Sequence, residues 1–130
     1  MAVRDFKGKV VAFWSSVLKG SFSNDLRQLL ALRSGLFFAV SIGAPIAFAE
    51  ISSPEAASLI NNSAVSFGDF KYLVSDIKAL LGDFGISSCM AIPISGNSLA
   101  QNLASLSFSS AKEFSWVDPE TFPGYYWLTV

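Results

Sequence analysis

The sequence has no histidine, one cysteine and little charge: Asp, Glu, Lys and Arg make up 15% of 130 residues. Without histidine there is no Ser-His-Asp type triad and no imidazole metal ligand. A lone Cys89 excludes an internal disulfide. It sits in an apolar run, as a buried hydrophobe or as a thiol that pairs between subunits. Phosphate-binding and dinucleotide-binding glycine motifs are also missing. Soluble chains carry roughly 25% charged residues, so this one reads as membrane-associated or heavily buried. Lysine is scarce after residue 50, which argues against nucleic-acid binding by that part.

The little charge present is unevenly placed. Residues 1–49 carry a net +4 and residues 50–130 a net −5. At the junction, Arg33 is the last charge before Glu50, leaving 16 uncharged residues from Ser34 to Ala49. The run contains Gly43 and Pro45 and ends Ala47-Phe48-Ala49. A basic stretch, an apolar run, a helix breaker and a small-x-small site make the layout of an export signal processed between Ala49 and Glu50. An uncleaved short membrane anchor and a buried helix fit the same run. The expected division is therefore a basic leader at 1–49 and a small, mainly helical mature segment at 50–130.

The apolar residues Phe6, Val10, Phe13, Trp14, Val17 and Leu18 fall at helical spacing, with Arg4, Lys9 and Lys19 opposite. That suggests a basic amphipathic helix, on a membrane surface or in a core. A second helix is expected after a Ser23 or Asn24 cap, with Asp25 in its first turn. Ser53-Pro54-Glu55 starts a third, which Asn61-Asn62-Ser63 would end; the same triplet is a glycosylation acceptor pattern.

The stretch DFKYLVSDIKALLGDFG at 69–85 repeats every seven residues. Phe70, Leu73, Val74, Ile77, Leu80, Leu81 and Phe84 form one apolar helical face, the expected packing face. Asp69, Asp76 and Asp83 line its flank about 10.5 Å apart. One metal ion cannot bridge them, and paired catalytic carboxylates stand closer, about 5–9.5 Å. They read as a solvated edge. Asn97 or Ser98 caps a further helix through Leu99, Ala100, Leu103, Ala104 and Leu106. The end is aromatic, with Phe108, Phe114, Trp116, Phe122, Tyr125, Tyr126 and Trp127. This cluster is either a partner surface or the closure of a small core.

The long basic leader with its Ala-x-Ala site resembles the pilin-like and small membrane subunits of conjugation and type IV secretion machines. Ser66-Phe67, then Phe70, Leu73, Val74, Gly82 and Gly85, resembles the first membrane helix of exported subunits of Dot/Icm and IncI-type systems. The resemblance implies a non-enzymatic assembly role in the bacterial cell envelope, at the inner membrane or in the periplasm. The expectation is thus an all-α structural subunit with no catalytic, cofactor or metal residues. Its partners would be other protein subunits, itself included, and a membrane, with no nucleic acid and no small-molecule substrate. The alternative is a soluble all-α structural or interaction module, phage or plasmid encoded, that uses all 130 residues in the cytoplasm or a virion.

Overall fold

The computed structural model describes residues 1–62, 70–120 and 124–130. The chain opens not with a helix but with a hairpin, β1 (Ala2–Arg4) and β2 (Val10–Ser15). Asp5 makes the turn: its carboxylate accepts from the backbone N–H of Lys7 and Lys9, both at 2.9 Å, and Gly8 takes φ +85°. Of the apolar positions that mimic a helical period, Val10, Phe13 and Trp14 belong to β2, which is rich in β-branched and aromatic residues, while Phe6 lies in the turn and Val17 and Leu18 follow the strand. Helix α1 (Asn24–Ile42) follows, with the Ser23 hydroxyl accepting from Leu26 N at 3.2 Å. It absorbs the first half of the apolar run and stops at Gly43, whose φ of +69° is the left-handed helix end that favours glycine. The second half is not helical; it is strand β3 (Ile46–Ile51).

Helix α2 (Pro54–Asn61) is capped by Ser53 and begins on proline. Helix α3 (Lys71–Asp83) leads to β4 (Cys89–Ala91), a 3-10 turn at Ile94–Asn97 and helix α4 (Ser98–Ser110). Two strands close the chain, β5 (Phe114–Val117) and β6 (Tyr126–Thr129). The strands form one sheet in the order β4-β3-β6-β1-β2-β5. The three at one end are parallel, and β1, β2 and β5 extend the sheet in antiparallel fashion.

The all-α expectation is overturned by these six strands: the protein is mixed α/β. The physical reason is that β1, β4, β5 and β6 are three or four residues long, too short to show alternation. The apolar anchor helix is also corrected. Ser34–Ala49 is split between α1 and β3, and among the described residues no helix is long and apolar enough to cross a membrane.

Alternate residues of a strand point to opposite faces. Leu128 of β6 reaches Gly35 of α1, while its neighbour Thr129 shares a cleft with Asn97 and Ala100. Helix α1 therefore covers one face and α4 the other. The core lies under α1, where Leu29, Leu32 and Leu36 are fully buried and α3 and α2 pack alongside. On α3, Leu73, Val74, Ile77 and Leu81 are buried, and Phe70, Leu80 and Phe84 are half-buried. Asp76 pairs with Arg33 of α1 at 3.3 Å and Asp83 is exposed; Asp69, Ser63, Ser66 and Phe67 lie outside the described residues.

Candidate nucleic-acid interface

Parallel strands leave their carboxyl ends beside the amino ends of the helices that follow, and ligands of open α/β sheets bind there. In this molecule that edge holds the ends of β3 and β6, marked by Ser52 and Val130. A crevice of about 480 Å³ opens beside it, within the roughly 300–1,000 Å³ range of ligand pockets. Helix α1 contributes Asn24, Arg27 and Gln28 to its wall, and α4 contributes Gln101 and the exposed ring of Phe108. Leu18, Met1 and Val130 add apolar surface.

Local contacts fix Gln28 and the helix starts beside the crevice. The side-chain oxygen of Gln28 accepts from Ser52 N at 3.2 Å, which ties α1 to the end of β3. Ser53 caps α2, its hydroxyl accepting from Ala56 N at 3.1 Å and donating to Asp25 Oδ1 at 2.6 Å. Glu55 Oε2 is 3.4 Å from the same hydroxyl, so two carboxylates from two helix starts flank one serine. The Met1 amino group donates to Trp14 O at 2.7 Å, and burial pulls its pKa down to about 6. Among the residues that line the crevice, Arg27 has the charged side chain.

A guanidinium donates hydrogen bonds to phosphates, side-chain amides donate to and accept from base edges, and an exposed aromatic ring offers a stacking surface. The same donors do not fit a divalent cation, which takes several oxygen ligands. Among the described residues no three His, Cys, Asp or Glu side chains converge. No step through a metal follows from these residues.

Residues 1–107 match the model of a protein family described as reverse transcriptase-like. The chain belongs to the reverse transcriptase-like family. Its fold is ribonuclease H-like, and the family is typically an enzyme domain that works on nucleic acid. No curated protein and no solved structure matches the chain.

The family overturns several expectations. The resemblance to conjugation and type IV secretion subunits was carried by a leader layout and a few positions, of which Leu73 and Val74 are buried in the core and Phe70 packs against it, Gly82 and Gly85 are exposed, and Ser66 and Phe67 lie outside the described residues; the chain itself matches the reverse transcriptase-like family. The structural envelope subunit and its alternative, an all-α module, are both overturned by the family match and by the mixed α/β sheet. "Not an enzyme" and "no nucleic acid" are corrected with them. The membrane partner and the envelope localisation lose their basis, since the apolar run is helix and strand of one sheet-centred fold. The inference from scarce lysine weighed only the part after residue 50, whereas the family match spans residues 1–107.

The remaining sequence-derived residues fall as follows. Ala47, Ala49 and Glu50 lie in β3; Ala49 and Glu50 are buried there. Phe114 and Trp116 lie in β5, with Trp116 stacked on Phe13 at 6.1 Å. Tyr126 and Trp127 lie in β6, Tyr125 is exposed just before it, and Phe122 is outside the described residues. Cys89 is a free, buried thiol in β4, pushed up to about 12 by burial and by the nearby Glu50 carboxylate. Asn61, the first residue of the glycosylation pattern, is engaged on the outer edge of β4. Its amide donates to Cys89 O and accepts from Cys89 N, both at 2.8 Å. Sequence reasoning missed Arg27, Gln28 and Gln101, and placed Phe108 only in the aromatic tail. The two glutamines are uncharged, and no spacing rule brings residue 28 near residue 101.

Proposed function

We propose that this chain is a nucleic-acid-processing domain that takes a single strand into the crevice between α1 and α4. The observation that carries the reading is the crevice itself. It joins Arg27 and Gln28 from one face of the sheet to Gln101 and Phe108 from the other, in a chain of the reverse transcriptase-like family. Arg27 takes a phosphate, Phe108 stacks a base, and the side-chain amides of Asn24, Gln28 and Gln101 meet base edges and sugar hydroxyls. A single strand is favoured over a duplex because stacking on Phe108 needs an unpaired base.

The test is fluorescence anisotropy with labelled single-stranded RNA and DNA of about 12 nucleotides at low salt. Phe108→Ala should weaken binding by about 1–3 kcal/mol. Arg27→Ala should reduce the slope of log affinity against log salt by about 1. Equal affinity for parent and both variants would place the strand elsewhere, and no binding at about 50 mM salt would defeat the proposal.

A further inference from the structure

The family match ends at residue 107, yet the strand at the heart of the sheet comes from beyond it. Strand β6 lies between β3 and β1. Among the described residues it is the hydrogen-bonded bridge between β4-β3 and β1-β2-β5. In chain order β6 follows β5, the edge strand opposite β4, yet in the sheet it lies inside, between β3 and β1.

The seat is shaped for this segment. Main-chain pairing is parallel to β3 on one side and antiparallel to β1 on the other. Leu128 is fully buried against Gly35, where an added Cβ would stand 3.4 Å from Leu128 Cδ2. The Thr129 hydroxyl donates to Glu50 Oε2 at 2.7 Å and accepts from Arg4 Nη2 at 3.0 Å, while Arg4 and Glu50 pair with each other at 3.1 Å. Both ends are tied: Tyr126 N donates to Pro45 O, Val130 N to Glu50 O, and the buried Asn97 amide to Val130 O. Trp127 rests on Phe48 with ring centroids 4.6 Å apart. Backbone pairing with side-chain pockets on alternate positions is how proteins bind an extended peptide by strand addition.

We propose that the seat between β1 and β3 is a strand-acceptor site for an extended peptide of the pattern aromatic-aromatic-Leu-Thr-Val, and that residues 126–130 are its ligand, bound in cis. Val130 also lines the crevice, so the bound strand completes one wall of it. The proposal does not depend on what the crevice holds.

The experiment uses the full chain with a protease recognition sequence inserted between Pro119 and Glu120. The folded protein is cut and mixed with fluorescein-labelled peptide GYYWLTV. The expected result is that the label comigrates with the body on size exclusion and the cut tail is released, while the uncut chain takes up far less because its tethered tail competes at high effective concentration. A Thr129→Val peptide should bind roughly tenfold weaker, and a Leu128→Asp peptide at least about a hundredfold weaker. Loss of structure on cutting, retention of the cut tail without exchange, or equal binding of the Leu128→Asp peptide overturns the proposal. An uncut chain that runs as a dimer with exchanged tails overturns binding in cis. Hydrogen exchange on the unaltered chain gives a second reading. The Leu128 and Val130 amides should exchange through an opening that leaves the α1 amides of Leu32 and Leu36 protected; identical rates for both sets overturn it.

Discussion

Helix α1 meets the sheet through Leu29, Leu32 and Leu36, all fully buried, and α3 completes that layer with Leu73, Val74, Ile77 and Leu81. Helix α4, on the other face, buries Ala100 and Leu103 but also Ser107, whose hydroxyl donates to Ser15 Oγ at 2.7 Å; Ser15 in turn donates to Leu103 O at 2.8 Å. Just before it, Asn97 holds Val130 O. One face is dry and non-directional, and each large apolar side chain there contributes about 1.5–3 kcal/mol. The other is held by a few hydrogen bonds that each contribute less, about 0.5–1.5 kcal/mol, but fix where α4 sits. The crevice lies where the two meet, so the strong face anchors Arg27 and Gln28 and the weaker one aims Gln101 and Phe108.

The largest expected effect tests the dry face. Ile77 is fully buried, so Ile77→Asp places a carboxylate among aliphatic side chains with no partner. It should cost about 4 kcal/mol or more, enough to unfold much of the population of an ordinary small domain. Urea denaturation followed by circular dichroism measures it. A cost under ~0.5 kcal/mol would mean that the α1–α3 layer does not hold the fold together.

This contrast also explains what could be read from the chain alone. The 69–85 stretch displays its buried positions because a dry helix face repeats at i, i+3, i+4. The start of α2 shows as well, since Ser53 caps it and Pro54 opens it. The strands stay hidden. β3 is half of what reads as one apolar run, and only the Gly43 turn separates it from α1. Asp5 to Lys9, a turn flanked by valines, is the signal that could have revealed the β1–β2 hairpin. On α4 the helical spacing of Ala100 and Leu103 could be read, but the cross-links of Ser107 and Asn97 could not, because serine and asparagine look the same in sequence whether they cap, turn or cross-link. The crevice was illegible for a related reason. Its polar groups are mostly amides, while a search for function by titratable residues looks for histidine, cysteine and carboxylates.

A middle-sized effect tests the polar face. Asn97 is buried and its amide satisfies Val130 O at 2.5 Å. Asn97→Ala leaves that oxygen without its donor and should cost about 1–3 kcal/mol. The same variant should loosen the end of β6, seen as faster hydrogen exchange at Val130 than at Leu32. Asn97→Asp should not rescue it, since an ionised carboxylate has no hydrogen to donate. A cost under ~0.5 kcal/mol would put the attachment of α4 on Ala100 and Leu103 alone and erase the difference between the faces.

The smallest effect belongs to the rim of the dry layer. Arg33 and Asp76 join α1 to α3 at 3.3 Å, but their side chains are 34% and 55% exposed. Water and salt screen a pair so placed, and holding two long side chains in one geometry costs entropy. Asp76→Ala should therefore change stability by no more than about 0.2–1 kcal/mol, and the change should shrink as salt rises from about 0.05 to 0.5 M. The Ile77→Asp loss, one residue along the same helix, should barely respond to salt because its cost is desolvation. If the Asp76 effect instead exceeded ~2 kcal/mol and persisted in high salt, the α1–α3 contact would rest on charge as much as on burial. The seven-residue spacing of the aspartates would then be part of how the layer is joined, not only its wet border.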